Sequence, residues 1–357
     1  IKINLLVSNK NISLLSKQVD KFKPKYIYIN DESKYMLLRK LINNSKTKIL
    51  NYNEFVSYMN ESYSDLTLLC VSGYDSLNYI ECILKNTKKL GLVSKECIVS
   101  AGHIFKKIIS KRKTIIYPLD SEHFSLFNFF NKLQFNNNYK KIYLTASGGP
   151  FLNTELTRFK DISFAQAINH PKWKMGYKNS IDSATMANKC LEIIEAHYLF
   201  NIPYNKIDIV VHPESLIHSI VEYNDFNSHL NYFFNDMFIP IFNFINDSKK
   251  SKNKFLKFEK FNFKKTNLNF LDVDYKRFPI FKTFMSLDKS NVSNIIKFNC
   301  ANEYAVNLFK HKKIKFDEFN KIINKCLEID INFPFNSVKN IIKYNKLFLK
   351  KINEIHI

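Results

Sequence analysis

The chain has 357 residues, enough for two or three domains and a sizeable core, and carries a formal net charge of +22. The excess is lysine, with only Arg39, Arg112, Arg158 and Arg277 beside it. It is spread among Asn, Ile, Phe and Tyr as AT-rich codons dictate, so it marks no clustered nucleic-acid surface. No apolar run approaches the roughly 20 residues that cross a bilayer, and six scattered cysteines without a CxxC pair argue against a zinc ribbon or disulfide framework and fit a reducing compartment.

Over the first 120 residues, short apolar runs at 3–7, 26–29, 66–71, 90–93 and 114–117 read as strands. Amphipathic helical stretches such as 33–42 and 77–86 lie between them. This alternation predicts a parallel, doubly wound sheet. In VSNKN at 7–11 a strand ends in Asn9, Lys10 and Asn11. In a dinucleotide-binding sheet the second strand ends at the adenosine ribose, where an acid suits NAD and a basic group suits NADP. With no acid present the segment reads as an NADP contact or as an ordinary polar turn. No glycine-rich phosphate loop precedes it.

After the run at 114–117 comes DSEH at 120–123. If the chain stays extended, Asp120 and Glu122 point one way and Ser121 the other. Two such carboxylates need a cation or proton between them, and oxygen donors suit Mg²⁺ or Mn²⁺. An acid-rich helix cap is the other reading. Ser121 lacks the glycine-flanked elbow of a nucleophile.

A further strand at 141–145 leads into TASGGPF at 145–151, which holds two of the six glycines beside Ser147: a phosphate turn or a plain tight turn. HPKWKMG at 170–176 holds the one Trp and reads as a lid or a packing anchor. A helix is expected over 183–200, with Ser183 at its N-cap. Its apolar stripe is Ala187, Leu191, Ile194 and Tyr198; its polar stripe is Asn188, Glu192 and Glu195, with Lys189 beside it. That stripe is either ligand-bearing or a solvated face. A strand at 207–211 runs into HPESLIHS, whose histidines lack zinc spacing and read as core residues. Residues 247–275 look like a Lys- and Asn-rich linker. Helical periodicity returns at 295–309, 316–327 and 337–352, and packing is the role expected of this last part.

Eight segments in order then carry a resemblance: SKE at 94–96, VSAG at 99–102, PLDSEH at 118–123, ASGGPF at 146–151, HPKWKMG at 170–176, IDSATMANK at 181–189, VHPESLIHS at 211–219 and ANE at 301–303. The chain resembles the 1-deoxy-D-xylulose-5-phosphate reductoisomerase family of non-mevalonate isoprenoid biosynthesis. The resemblance implies a metal-assisted skeletal rearrangement followed by hydride transfer from NADPH. It implies that Asp120, Glu122 and Glu192 hold Mn²⁺ or Mg²⁺, and that Lys95 and Glu122 act in catalysis. Ser147, Ser183, Asn188 and Lys189 match the family's phosphate pocket; Ser121, Glu122, Glu192 and His170 match other substrate contacts, and Trp173 matches the aromatic of a closing flap. Asn9, Lys10, Asn11, Ser94, Glu96 and Gly176 match positions that contact NADPH.

The expected layout is an α/β chain with a Rossmann-like NADPH domain over 1–119 that lacks its first strand and glycine loop. A catalytic domain follows over 120–246 with its flap at 170–176, then a linker over 247–280 and a helical bundle over 281–357. A phosphosugar substrate, a homodimer and a bacterial cytoplasm rather than a plastid complete the expectation. Ser94 stands where the family usually has Asn, Cys190 where it has Gly, and Ala146 where it has Gly or Ser. The missing loop leaves one alternative, a degenerate member acting as a weak or inactive binding protein.

Overall fold

The structure, a computed structural model, describes residues 1–43, 45–112, 114–132, 138–171, 173, 175–246, 262, 264 and 266–355. The chain divides into two units, Ile1–Ser64 and Asp65–Ile357.

In the first unit, β1 (Leu5–Ser8), α1 (Ile12–Phe22), β2 (Tyr26–Ile29), α2 (Tyr35–Leu41), β3 (Lys48–Ile49) and α3 (Tyr52–Glu61) alternate. The strands form a parallel sheet in the order β1-β2-β3. Parallel neighbours need crossover connections, and the amphipathic helices supply them. Leu15 and Val19, one turn apart on α1, pack with Leu38 and Ile42 against Ile27 and Ile29. Asn11 caps α1 by accepting the Leu14 N–H at 3.0 Å, and Asn51 with Glu54 makes a capping box for α3.

The second unit opens with β4 (Ser64–Leu69, whose first residue closes the first unit), α4 (Leu77–Asn86), β5 (Thr87–Leu92), α5 (Lys95–Arg112), β6 (Ile115–Pro118) and α6 (Ser121–Lys132). These strands order as β4-β5-β6, with β5 and β6 parallel and Leu90 opposite Ile116. One residue past β5 comes Ser94–Glu96, and one residue past β6 comes Asp120–Glu122. The carboxyl ends of such strands are where open α/β sheets gather their ligands.

Next come β7 (Tyr139–Ala146), α7 (Phe164–Ala167), α8 (Tyr177–Ala184), α9 (Ala187–Phe200), β8 (Ile207–Val211), β9 (Ile217–Tyr223), β10 (Ser228–Tyr232) and α10 (Phe238–Asn246). They include a mixed sheet ordered β10-β9-β7-β8, parallel only between β7 and β8. The sequence reading ended its strands at 211 and missed the β9–β10 hairpin. Its turn, Asn224–Asn227, has neither Gly nor Pro to announce it, and Phe226 there adopts φ 67°.

Of the expected linker, residues 247–261, 263 and 265 lie outside the described residues. Beyond them, Leu271 exchanges backbone hydrogen bonds with Val211 at 2.8 and 2.9 Å, extending the sheet edge. The chain ends in α11 (Pro279–Ser286), α12 (Val292–Lys310), α13 (Phe319–Leu327) and α14 (Val338–Glu354). Helix α12 is buried through most of its middle and packs on α5 and α9. One buried polar tie, Asn299 Nδ2 to Ser100 Oγ at 3.1 Å, links it to α5.

The helix expected as one piece over 183–200 is two. Met186 adopts φ 65° and breaks it into α8 and α9. Ser183 therefore lies in the last turn of α8 and caps nothing; the cap position of α9 is Met186, without a side-chain bond. The polar stripe of α9 is not a solvated face: Glu192 and Glu195 are 0% and 1% exposed, and α9 is buried nearly all round.

Candidate active site

Strand β6 delivers Asp120 to the start of α6. The Asp120 carbonyl accepts the Phe124 N–H at 2.8 Å and its carboxylate accepts the Glu122 N–H at 3.2 Å, as an N-cap does. The chain is thus not extended here, and Ser121 does not point away: its hydroxyl donates to Glu122 Oε2 at 2.6 Å. The cap reading and the carboxylate-pair reading hold together. Asp120 from the cap, Glu122 from the first turn and Glu192 from α9 bring carboxylate oxygens within 4.8 Å of one another.

Two lysines enter this trio. Lys95, at the start of α5, reaches Asp120 Oδ2 at 2.9 Å, Glu192 Oε1 at 3.1 Å and Asn188 Oδ1 at 2.7 Å. Lys189 reaches Glu122 Oε1 at 2.7 Å and Glu192 Oε2 at 2.5 Å. Asn188 also donates to Glu192 Oε1. Burial works against the charge on Lys95, but Asp120, Glu192 and Glu195 hold its pKa well above the usual lysine value. Lys189 is likewise raised, by Glu122, Glu192 and Asp120 against its burial. Asp120, also buried, is held well below the carboxylate range by Lys95, His123 and Lys189. Burial, then Asp120 and Glu122, push Glu192 up.

Hard oxygen donors so placed fit a divalent cation of the Mg²⁺ or Mn²⁺ type. Three carboxylates converging in a buried site repel one another, and a multivalent cation relieves that repulsion best.

The sequence assigns no site role to His123 of the DSEH segment or to Glu195 of the polar stripe. The buried His123 ring meets Asp120 Oδ1 through Nδ1 at 2.9 Å and the Glu192 carbonyl through Nε2 at 2.9 Å. Glu195 Oε2 faces Nδ1 at 3.4 Å. Burial alone would lower the His123 pKa, but Glu195, Asp120 and Glu192 raise it to about 9; burial lifts Glu195 to about 7. The available signal was spacing: Glu195 lies three residues after Glu192, one turn on along the same helix face.

Ser147, in the turn after β7, lies 3.1 Å from His170 Nε2 and accepts the Gly149 N–H at 3.1 Å. Burial, then Lys189, lower the His170 pKa to about 4, so its ring is neutral. His170 Nδ1 accepts the Trp173 N–H at 3.0 Å, tying the segment at 170–173 together; Lys172 and Lys174 of the expected flap lie outside the described residues. Gly148 and Gly149 both have positive φ, and a Cβ at Gly149 would lie 2.8 Å from the Ser183 carbonyl oxygen. The glycine turn and the end of α8 are therefore in direct contact, which brings Ser147 and Ser183 into one neighbourhood. The Asn188 amide is engaged by Lys95 and Glu192.

Of the residues expected around the cofactor, Ser94 and Glu96 are buried after β5, and the Ser94 hydroxyl donates to the Val71 carbonyl. Gly176 precedes α8, and no described residue lies within 4 Å of where its Cβ would stand. Asn9, Lys10 and Asn11 are exposed after β1 in the first unit. Asn9 accepts from Asn30 Nδ2 at 3.2 Å and Asn11 caps α1, so the turn reading holds for both whatever else they bind. The buried His212 and His218 bond the carbonyls of Asn269 and Phe233, as core histidines do.

Three family models cover most of the chain: 1-deoxy-D-xylulose 5-phosphate reductoisomerase over residues 1–102, its C-terminal domain over 116–200, and the DXP reductoisomerase C-terminal domain over 234–350. The chain is 38% identical over 343 residues to the 1-deoxy-D-xylulose 5-phosphate reductoisomerase of Pelagibacter ubique, covering 95% of this chain and 87% of that one. The enzyme of the same name from Persephonella marina is 37% identical over 365 residues, covering 99% and 93%. Among solved structures, a DOX-P reductoisomerase in complex with NADPH, fosmidomycin and magnesium aligns with TM-score 0.90 and 28% identity, over 99% of this chain and 91% of that one. The Zymomonas mobilis 1-deoxy-D-xylulose 5-phosphate reductoisomerase in complex with NADPH aligns with TM-score 0.86 and 32% identity, over 97% and 89%.

Proposed function

The chain belongs to the 1-deoxy-D-xylulose 5-phosphate reductoisomerase family, and from that premise we propose that it converts 1-deoxy-D-xylulose 5-phosphate to 2-C-methyl-D-erythritol 4-phosphate, using NADPH and Mn²⁺ or Mg²⁺. The observation that carries this reading is the convergence of Asp120, Glu122 and Glu192 with Lys95 and Lys189 threaded among them. Plain hydride transfer needs no such donor set.

Asp120, Glu122 and Glu192 would hold the metal, which supplies Lewis-acid polarisation of the ketone and the neighbouring hydroxyl when bound. NADPH supplies the hydride. Lys95, whose three N–H groups meet Asp120, Asn188 and Glu192, would exchange some of these bonds for ones to the substrate hydroxyls and to the oxygen that gains charge. Glu122 combines metal binding with contact to those hydroxyls, and Ser121 hydrogen-bonds beside it. Ser147, Ser183, Asn188 and Lys189 bind the phosphate, and His170, neutral and next to Ser147, orients that end. Trp173 covers the substrate and excludes water. Ser94, Glu96 and Gly176 serve the nicotinamide end, and Asn9, Lys10 and Asn11 the adenosine phosphate.

A degenerate binding protein is disfavoured by the family match along nearly the whole chain. A homodimer in a bacterial cytoplasm belongs to the same proposal; it rests on the family resemblance and the bacterial relatives, and light scattering tests the dimer. Among the described residues, no helix is long and apolar enough to cross a membrane.

The test is NADPH consumption with 1-deoxy-D-xylulose 5-phosphate in the presence of Mn²⁺ or Mg²⁺, with the branched product identified by mass and NMR. Metal-dependent turnover is expected. A folded, metal-loaded protein that leaves this substrate untouched overturns the reading.

A further inference from the structure

The break between α8 and α9 sits between Ser183 on one side and Asn188 and Lys189 on the other, so three of the four phosphate-binding candidates hang on it. Its backbone is strained: Met186 is a bulky residue at φ 65°, a conformation that costs on the order of 1 kcal/mol and persists only where its surroundings enforce it. Three sets of contacts do so. Thr185 Oγ1 donates back to the Ile181 carbonyl at 3.1 Å and accepts the Ala187 N–H at 3.4 Å, bridging the break. Gly149 packs against the Ser183 carbonyl. The third is Asp182, whose carboxylate is 1% exposed and gripped from both sides. Lys178, one turn earlier on α8, donates to Oδ2, and Asn302 of the C-terminal helix α12 donates to Oδ1 at 3.0 Å.

Asn302 is itself 0% exposed, and no residue of the expected site lies on α12. A packing helix needs no amide in its core, where an unpaired amide is costly. Here the amide ends on the residue directly before Ser183. The grip also reaches toward the cofactor side: the Lys178 ammonium is drawn on by Glu96 and Glu303 as well as by Asp182.

We propose that Asn302 and Asp182 are positioning residues for phosphate recognition: the C-terminal helix, through this one buried hydrogen bond, sets the α8–α9 break at the angle that lets Ser183 and Lys189 meet one phosphate group. The inference rests on the phosphosugar reading above and adds to it a specificity role for the C-terminal part of the chain. Neither residue touches substrate.

The test uses the full chain with Mn²⁺ and NADPH, and three variants: Asn302→Asp, Asp182→Asn, and the exchange Asp182→Asn/Asn302→Asp. Asn302→Asp sets two carboxylates face to face and is expected to raise KM for the phosphosugar about tenfold, more than it lowers kcat. Competition by inorganic phosphate should weaken in parallel, while Mn²⁺ affinity stays within about twofold of wild type. The exchange restores a donor opposite an acceptor and is expected to recover KM and phosphate competition to within about threefold.

A folded Asn302→Asp protein with unchanged KM and phosphate competition overturns the proposal. So does an equal loss of kcat, Mn²⁺ affinity and phosphosugar affinity, which a merely structural role would give. If Asn302→Asp does not fold, the exchange variant decides: recovery of fold and phosphate binding supports the proposal, and failure of both overturns it. If the wild-type chain turns over no phosphosugar, phosphate protection against thermal unfolding replaces KM. Its dependence on Asn302 then stands or falls apart from the proposed reaction.

Discussion

Glu195 Oε2 faces His123 Nδ1 at 3.4 Å, and both side chains are buried with no more than 1% exposed. The contact matters because the same imidazole bonds the Asp120 carboxylate and the Glu192 carbonyl, tying together two of the three proposed metal ligands. Outer partners of this kind fix ligand orientation, and their loss typically costs 10–100-fold in metal affinity. Glu195→Gln is therefore expected to weaken Mn²⁺ binding about tenfold, measured by titration calorimetry or the free-Mn²⁺ spin-resonance signal. Unchanged affinity in Glu195→Gln would show that His123 needs no second carboxylate.

Glu192 has the largest share in the carboxylate trio, since both lysines reach it. Glu192→Ala leaves Lys95 and Lys189 buried with one acid fewer, and breaking a buried pair costs about 3 kcal/mol or more. The variant should unfold at lower urea than wild type in chelator. The wild-type melting temperature should rise on adding Mn²⁺ or Mg²⁺, as binding to the folded state requires, and that of Glu192→Ala should not. A variant that the metal stabilises as much as wild type would remove Glu192 from the ligand set.

Much of this was legible in the sequence because the residues form short contiguous runs. The β5, β6 and β7 strands each end in a segment the sequence marks, and Asp120, Glu122 and Glu192 do converge. What escaped notice depended on three-dimensional context. One positive-φ residue, Met186, separates the expected N-cap Ser183 from the apolar stripe that starts at Ala187, and no Gly or Pro marks the break. The stripe that holds Glu195 stays open between a ligand-bearing and a solvated face in the sequence, because burial on every side of a helix does not show in a stripe pattern. Asn302 was passed over as packing because its partner lies 120 positions away. The extended reading of 120–122 failed because an Asp that ends a strand can also cap a helix, and both patterns fit the same letters.

The pH dependence of stability should bear the mark of Glu303. Burial pushes its pKa up to about 8, helped by Glu96, Asp182 and Asp75 and opposed by Lys178. The folded chain therefore holds this proton above the pH at which an unfolded glutamate releases it, near 4.3. Folding binds more protons than unfolding across that window, so the Glu303 contribution is full below about 4.3 and is lost as pH rises toward 8. Glu303→Gln keeps a neutral side chain at every pH. Its urea midpoint should fall less than that of wild type between pH 5 and 8, with the gap widest at the alkaline end. Parallel profiles would place the Glu303 pKa in the ordinary range.

Gly149 offers a test of how closely the glycine turn must approach the α8–α9 break. Its φ is 67°, and a Cβ there would stand 2.8 Å from the Ser183 carbonyl oxygen and 3.0 Å from the Ala184 Cα, both backbone atoms that cannot swing aside. Gly149→Ala thus combines left-handed strain, about 1 kcal/mol, with a displacement of the segment that carries Ser183. Gly176→Ala is the control, because among the described residues nothing lies within 4 Å of its Cβ position and its φ is −62°. Gly149→Ala should lower stability by about 1–3 kcal/mol in urea and raise KM for the phosphosugar, whereas Gly176→Ala should leave stability within about 0.5 kcal/mol of wild type. Because the displaced atoms belong to the phosphate side, the Mn²⁺ affinity of Gly149→Ala should stay near wild type. Equal losses in metal and phosphate binding would mean that the turn supports the whole site rather than its phosphate end.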